Sequence, residues 1–139
     1  MGFKFEKLDV WKAALDYLDL VYAIAALLPK SEEYNLKSQM VRAGTSITLN
    51  IAEGSTGQTD AEQARFLGMA IRSLLETVAC QHIINRRDYL TDKTLLRQAY
   101  KDAQILSAQL HSMRKAIAPE ESWLREAPAD YNIESETKF

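Results

Sequence analysis

The chain has 139 residues, enough for one domain with a substantial core, and its 47% apolar and 26% charged side chains are ordinary for a soluble globular protein. Five glycines and three prolines are too few for the turns of an all-β fold. No stretch approaches the ~18 uncharged apolar residues of a membrane helix, and the single Cys80 excludes an internal disulfide and fits a reducing cytoplasm.

The formal net charge of −2 is unevenly spread. Residues 1–118 carry 15 Lys or Arg against 13 Asp or Glu, whereas residues 119–139 carry two against six. A faintly basic body is thus joined to an acidic tail, which leaves nucleic acid open as a partner without creating a basic patch. The opening MGFKFEKLDVWK lacks an apolar core ahead of a small-residue cleavage site, so no secretory signal is expected, and Glu6 stands where a myristoylation signal needs Ser or Thr.

In chain order, residues 1–9 form an approach segment in which Phe3 and Phe5 are expected to pack on the end of the domain, with Asp9 as a helix N-cap. Trp11, Ala14, Leu15, Leu18, Val21, Tyr22, Ala25 and Leu28 then step by threes and fours, which predicts an amphipathic helix over 10–28 that Pro29 terminates. A polar connection follows, with Asn35 as the next cap. Leu36, Met40, Ala43, Ile47 and Ile51 give the second helix its apolar face, and Gly54 suits the left-handed position just past its end. Thr59 and Glu62 have the spacing of a capping box and open a third helix, carried by Phe66, Leu67, Ala70, Ile71, Leu74, Leu75, Val78 and Ile83 to about residue 85–87. A turn over 88–92 leads to a fourth helix through Leu95 or Leu96, Ala99, Tyr100, Ala103, Leu106, Leu110, Met113 and Ile117, ended by Pro119. Trp123 and Leu124 are candidate anchors in a tail expected to be mobile beyond Pro128. Four long helices, short connections and no strand candidate predict an all-α, antiparallel up-down-up-down four-helix bundle over 1–118, with 119–139 as an irregular appendage.

Enzymatic chemistry finds no constellation to use. A di-metal carboxylate bundle needs Glu-x-x-His on two helices; the pattern is absent and His82 and His111 are the only histidines, each read as a surface or boundary residue. Cys80 and His82 sit two apart on one helix and point to different sides, so they form no nucleophile–base pair, and Cys80 reads as a packing residue. No phosphate-binding glycine loop or nucleophile elbow occurs. No catalytic residue, metal ligand or cofactor site is therefore assigned, and the expected protein is not an enzyme.

The informative constellation is on the second helix. Gln39, Arg42, Ser46, Asn50 and Glu53 form a polar stripe beside the apolar face, and Ala43-Gly44-Thr45-Ser46 thin the middle enough for another helix to approach. One Arg, one Glu and three neutral hydrogen-bonding groups suit an interhelical or intersubunit network that fixes register, with Ser73 and Glu76 of the third helix as counterparts; a recognition surface for RNA or protein is the competing reading. Arg86, Arg87, Lys93, Arg97 and Lys101 cluster near the third turn of the chain as candidate phosphate contacts, although cations at a helix C-terminus also serve the helix dipole.

Phe5-Glu6-Lys7-Leu8-Asp9-Val10-Trp11, Leu36-x-x-Gln39-Met40-x-Arg42-Ala43, Ser46-Ile47-x-x-Asn50-Ile51-Ala52-Glu53-Gly54 and Phe66-Leu67-x-x-Ala70 with Ser73 and Glu76 occur in this order over residues 5 to about 90. In this pattern the chain resembles the bacterial four-helix-bundle proteins encoded in intervening sequences of 23S ribosomal RNA genes, with Arg72 standing where that family commonly has a small residue. The resemblance implies a cytoplasmic, non-enzymatic bundle that assembles into a ring-shaped homo-oligomer, with a pentamer as the expected count. The family pattern together with the polar stripe of the second helix leads to an expected association with RNA or ribonucleoprotein. The family is also similar in fold to the accessory proteins of diversity-generating retroelements, which makes a reverse transcriptase a further candidate partner; no membrane partner is implied.

Overall fold

The computed structural model describes residues 1–56, 59–118 and 138–139. A one-turn 3₁₀ helix, Lys4–Lys7, leads into α1 (Asp9–Ala26); a second, Lys30–Glu32, leads into α2 (Leu36–Gly54), which α3 (Asp60–Arg86) and α4 (Thr94–Ile117) follow. Neighbours in sequence pack side by side and α1 closes the ring against α4, giving a four-helix bundle. No helix among the described residues is long and apolar enough to cross a membrane. The expected anchors Trp123 and Leu124, the stop at Pro119 and the course of the acidic tail lie outside the described residues.

The helix ends show which local signals act. Asp9 is the first residue of α1 rather than its cap, and α1 stops at Ala26, short of Pro29. Thr59 caps α3 as its spacing predicts, its hydroxyl accepting from the Glu62 amide at 3.0 Å. Asn35 precedes α2 without capping it through its side chain. Glu32 takes that role: Oε1 accepts from Leu36 N at 3.3 Å and from Asn35 Nδ2 at 2.9 Å. The left-handed residue expected at Gly54 is absent. Gly54 is the last residue of α2 itself, and it is needed for space, since a Cβ there would meet Phe66 Cβ at 3.1 Å. The left-handed turn occurs instead after α3, at Asp88 (φ 57°). There Tyr89 N bonds to Ile84 O at 3.2 Å and Asp88 N to Asn85 O at 3.1 Å, the pair of bonds of a Schellman motif.

Every expected apolar residue of α2 is buried: Leu36, Met40, Ala43, Ile47 and Ile51. The close approach at its thin middle is made by α1, because a Cβ on Gly44 would lie 3.0 Å from Leu18 Cδ1 and 3.2 Å from Val21 Cγ1. On α1 the buried face is Val10, Ala14, Tyr17, Val21, Ile24 and Ala25, so Leu15 and Tyr22, expected inside, are exposed. Ala14, Val21 and Ala25 are buried as expected; the helix is apolar around more than half its girth, and periodicity passed over Tyr17 and Ile24. Leu75 and Ile83 of α3 are likewise exposed. Cys80 is a core residue whose thiol burial raises above its usual range, consistent with an inert packing role. His111, expected at the boundary, is buried, with Nδ1 2.9 Å from Ser107 O one turn earlier.

A polar lock crosses the core diagonally from α1 to α3. Thr77 Oγ1 donates to Leu74 O at 2.6 Å, so the Tyr17 hydroxyl, 2.7 Å away, donates to Thr77 and accepts from Gln81 Nε2 at 2.7 Å. Tyr17 is almost wholly inaccessible, and burial pushes its phenol far above the normal range, which keeps it a neutral donor.

Candidate functional site

The polar stripe of α2 divides into two parts in space. Ser46 and Asn50 turn toward α3. Asn50 Nδ2 donates to Ser46 O at 2.8 Å and to Ser46 Oγ at 3.0 Å, and Ser73 Oγ of α3 donates to Ser46 Oγ at 2.9 Å. This half-buried clasp holds the two most extensively packed helices in register, each bond contributing about 0.5–1.5 kcal/mol net. Gln39, Arg42 and Glu53 are exposed. Gln39 Nε2 donates to Asn35 Oδ1 at 3.2 Å, a local bond that ties the stripe's start to the preceding turn. Glu76, offered as a counterpart on α3, is exposed as well.

Arg42 and Glu53 stand at the two ends of a surface groove. Its lining is Val41, Arg42, Thr45, Ser46, Leu49, Asn50, Glu53 and Phe66, around a volume of about 650 Å³. The cation at one end and the carboxylate at the other flank apolar walls, and Leu49 projects into it with 56% of its surface exposed. The groove thus presents an apolar floor between opposite charges, with the Thr45 and Ser46 hydroxyls in its lining. Among the described residues no group of three or more His, Cys, Asp or Glu could hold a metal ion.

The candidate phosphate contacts are only partly free. Lys93 Nζ is 2.6 Å from Asn85 Oδ1 and 4.0 Å from Asp88 Oδ1; Arg87 Nε is 3.5 Å from the Tyr89 hydroxyl. Tyr89 in turn donates to Glu32 Oε2 at 2.7 Å, so the α3–α4 turn is stapled to the turn before α2. The Tyr89 and Asn35 hydrogen bonds hold the Glu32 carboxyl below its usual range. Arg97 Nε donates to the main-chain oxygen of Phe139 at 3.2 Å, while Arg86 and Lys101 are exposed.

Three features escaped the residue patterns. Leu49 hides among polar neighbours and reads as an interruption of the stripe, yet it is the groove's apolar centre. The Tyr89–Glu32 staple joins residues 57 apart and no local spacing announces it. Phe139 packs against His82 and Tyr100, again a contact that only the tertiary structure creates.

The comparisons with known proteins agree with this architecture. The crystal structure of a protein of unknown function from the S23 ribosomal protein family of Bacteroides thetaiotaomicron VPI-5482 superposes with a TM-score of 0.69 at 24% identity, covering 76% of this chain and 98% of that one. At that identity the likeness is one of fold. The search of curated protein sequences found no match. The family model described as 23S rRNA-intervening sequence protein matches residues 6–112, which takes in all four helices, and the chain belongs to that family.

Proposed function

We propose that this protein is a non-enzymatic, self-assembling helical bundle that serves as a scaffold associated with RNA or ribonucleoprotein. The observation that carries the assembly part is the α2 groove, an apolar floor centred on exposed Leu49 between Arg42 and Glu53. A closed ring needs two unlike patches on each copy. Leu75, 68% exposed, lies about 200° around α3 from Ser73 at ~100° per residue, and supplies an apolar ridge turned away from the clasp. Groove and ridge on different sides of one bundle favour a ring, with a pentamer as the expected size. The family's description supports the RNA association, with exposed Arg86 and Lys101 as the available phosphate contacts.

Light scattering on the size-exclusion peak tests the assembly: the wild-type chain is expected as a single closed oligomer at micromolar concentration. Leu49→Arg is expected to yield folded monomer, and a monomeric wild type would sink this part of the reading. Binding to a single-stranded RNA of mixed sequence is expected to weaken with salt, by ~0.7 in logarithmic slope for each phosphate neutralised. Absence of binding at low salt would reject direct RNA contact.

One observation favours a second reading, an adaptor that binds a protein partner such as a reverse transcriptase without strong RNA binding of its own. Arg87, Lys93 and Arg97 each have a hydrogen-bond partner within the chain, so the basic end is thinner than its sequence suggests. A stoichiometric protein partner that survives nuclease treatment would select this alternative.

A further inference from the structure

Outside the α2 groove, an aromatic notch lies between α3 and α4. His82 on α3 and Tyr100 on α4 stand edge to face, ring centroids 6.2 Å apart at 84°. The Phe139 ring completes the group, 5.0 Å from His82 at 65° and 5.6 Å from Tyr100 at 85°. Arg97, one turn before Tyr100 on α4, donates to the Phe139 main-chain oxygen. Phe139 is half-buried and packs against the bundle core. Its backbone is in the left-handed region (φ 63°), where a bulky side chain is costly unless its contacts compensate.

From this geometry we infer that the notch is a docking site for an aromatic residue of a peptide, and that Phe139 fills it as a built-in occupant. The two rings hold the side chain edge to face, and a guanidinium meets the main-chain oxygen of the same residue, so the aromatic ring and that oxygen are recognised together. The observed occupant argues for peptide over nucleobase. A base is held by parallel stacking on an aromatic face, whereas all three rings here meet at steep angles. The occupant can come from the same copy: Ala118 lies about 32 Å along α4 from Arg97 at 1.5 Å per residue, well within the ~66 Å that the 20 intervening residues span at full extension. A tethered occupant acts at millimolar effective concentration, so an external peptide of the same chemistry competes with it.

The test uses the 139-residue chain and the synthetic peptide Glu-Ser-Glu-Thr-Lys-Phe (residues 134–139), acetylated at its N-terminus and ending in a free Phe carboxylate to meet Arg97. The Phe139→Ala protein is expected to bind it saturably, with shifts of the His82 and Tyr100 ring resonances; the wild type is expected to bind about tenfold more weakly. His82→Ala and Tyr100→Ala in the Phe139→Ala background should each abolish binding. Equal binding by wild type and Phe139→Ala overturns the built-in occupant, and equal binding of a peptide with Ala in place of its Phe overturns aromatic recognition. If the peptide fails to bind and a uridine 12-mer shifts the same rings, the notch is a base-stacking site and the inference is wrong. None of these outcomes depends on the groove of α2, so the assembly reading stands or falls separately.

Discussion

At the scale of the residue, Asp88 shows a position whose backbone demand and side chain disagree. It provides the left-handed residue that ends α3, where glycine is the unstrained choice, and it adds a negative charge at the negative end of a helix dipole. Among the described residues its ion-pair partner is the Lys93 ammonium, 4.0 Å away. Asp88→Gly is therefore expected to stabilise the fold by about 1 kcal/mol, read as a higher urea midpoint at unchanged slope. A lower midpoint would show that the long ion pair matters more than the backbone strain. Thr59 was legible because its cap acts within three residues. Gly54 was misplaced because glycine serves two masters, positive φ and close approach, and only the neighbouring Phe66 reveals which one applies.

At the scale of the element, the turns are tied together more firmly than their lengths suggest. Glu32 accepts from Asn35 and Leu36 at the start of α2 and from Tyr89 after α3, so one carboxylate joins two connections at the same end of the bundle. Its folded pKa lies below the ordinary value of 4.5, so its contribution is present above that pH and is lost as pH falls through the lower folded value. Glu32→Gln is expected to lower the urea midpoint at pH 7, and the gap to wild type should close in acid below about 4.5, where the wild-type carboxyl gains its proton. A gap that stays constant from pH 7 to pH 3 would refute the staple's charge dependence. The four helices themselves could be read from hydrophobic periodicity, most cleanly α4, where Leu96, Ala99, Ala103, Leu106 and Leu110 are all buried. On α1 the same signal found Ala14, Val21 and Ala25 but took Leu15 and Tyr22 in place of Tyr17 and Ile24. Leu15 and Tyr22 are as apolar as the residues that replaced them, and the wheel carries no information on which apolar side meets a neighbour.

At the scale of the whole molecule, what could not be read was the polar content of the core. Thr77 and Gln81 belong to residue types that usually face solvent, yet both are fully buried, because Tyr17 brings its hydroxyl to them across the bundle. Such partners are 60 and 64 residues apart, and no local pattern links them. The candidate groove was half legible: its Arg42, Ser46, Asn50 and Glu53 lie on the stripe, but its volume and the part played by Leu49 depend on how α2 and α3 pack. Tyr17→Phe leaves Gln81 Nε2 without its acceptor in the buried core and is expected to cost about 1–3 kcal/mol in urea unfolding; a cost below about 0.5 kcal/mol would mean the lock is idle. The lock also bears on time as well as on energy. Helices adjacent in sequence can pair as hairpins early, but a bond from α1 to α3 closes only after the hairpins have docked on each other. Tyr17→Phe should accordingly speed unfolding several-fold while leaving the refolding rate nearly unchanged. The diagonal hydroxyl then acts as a bolt thrown last, setting how long the assembled bundle stays shut.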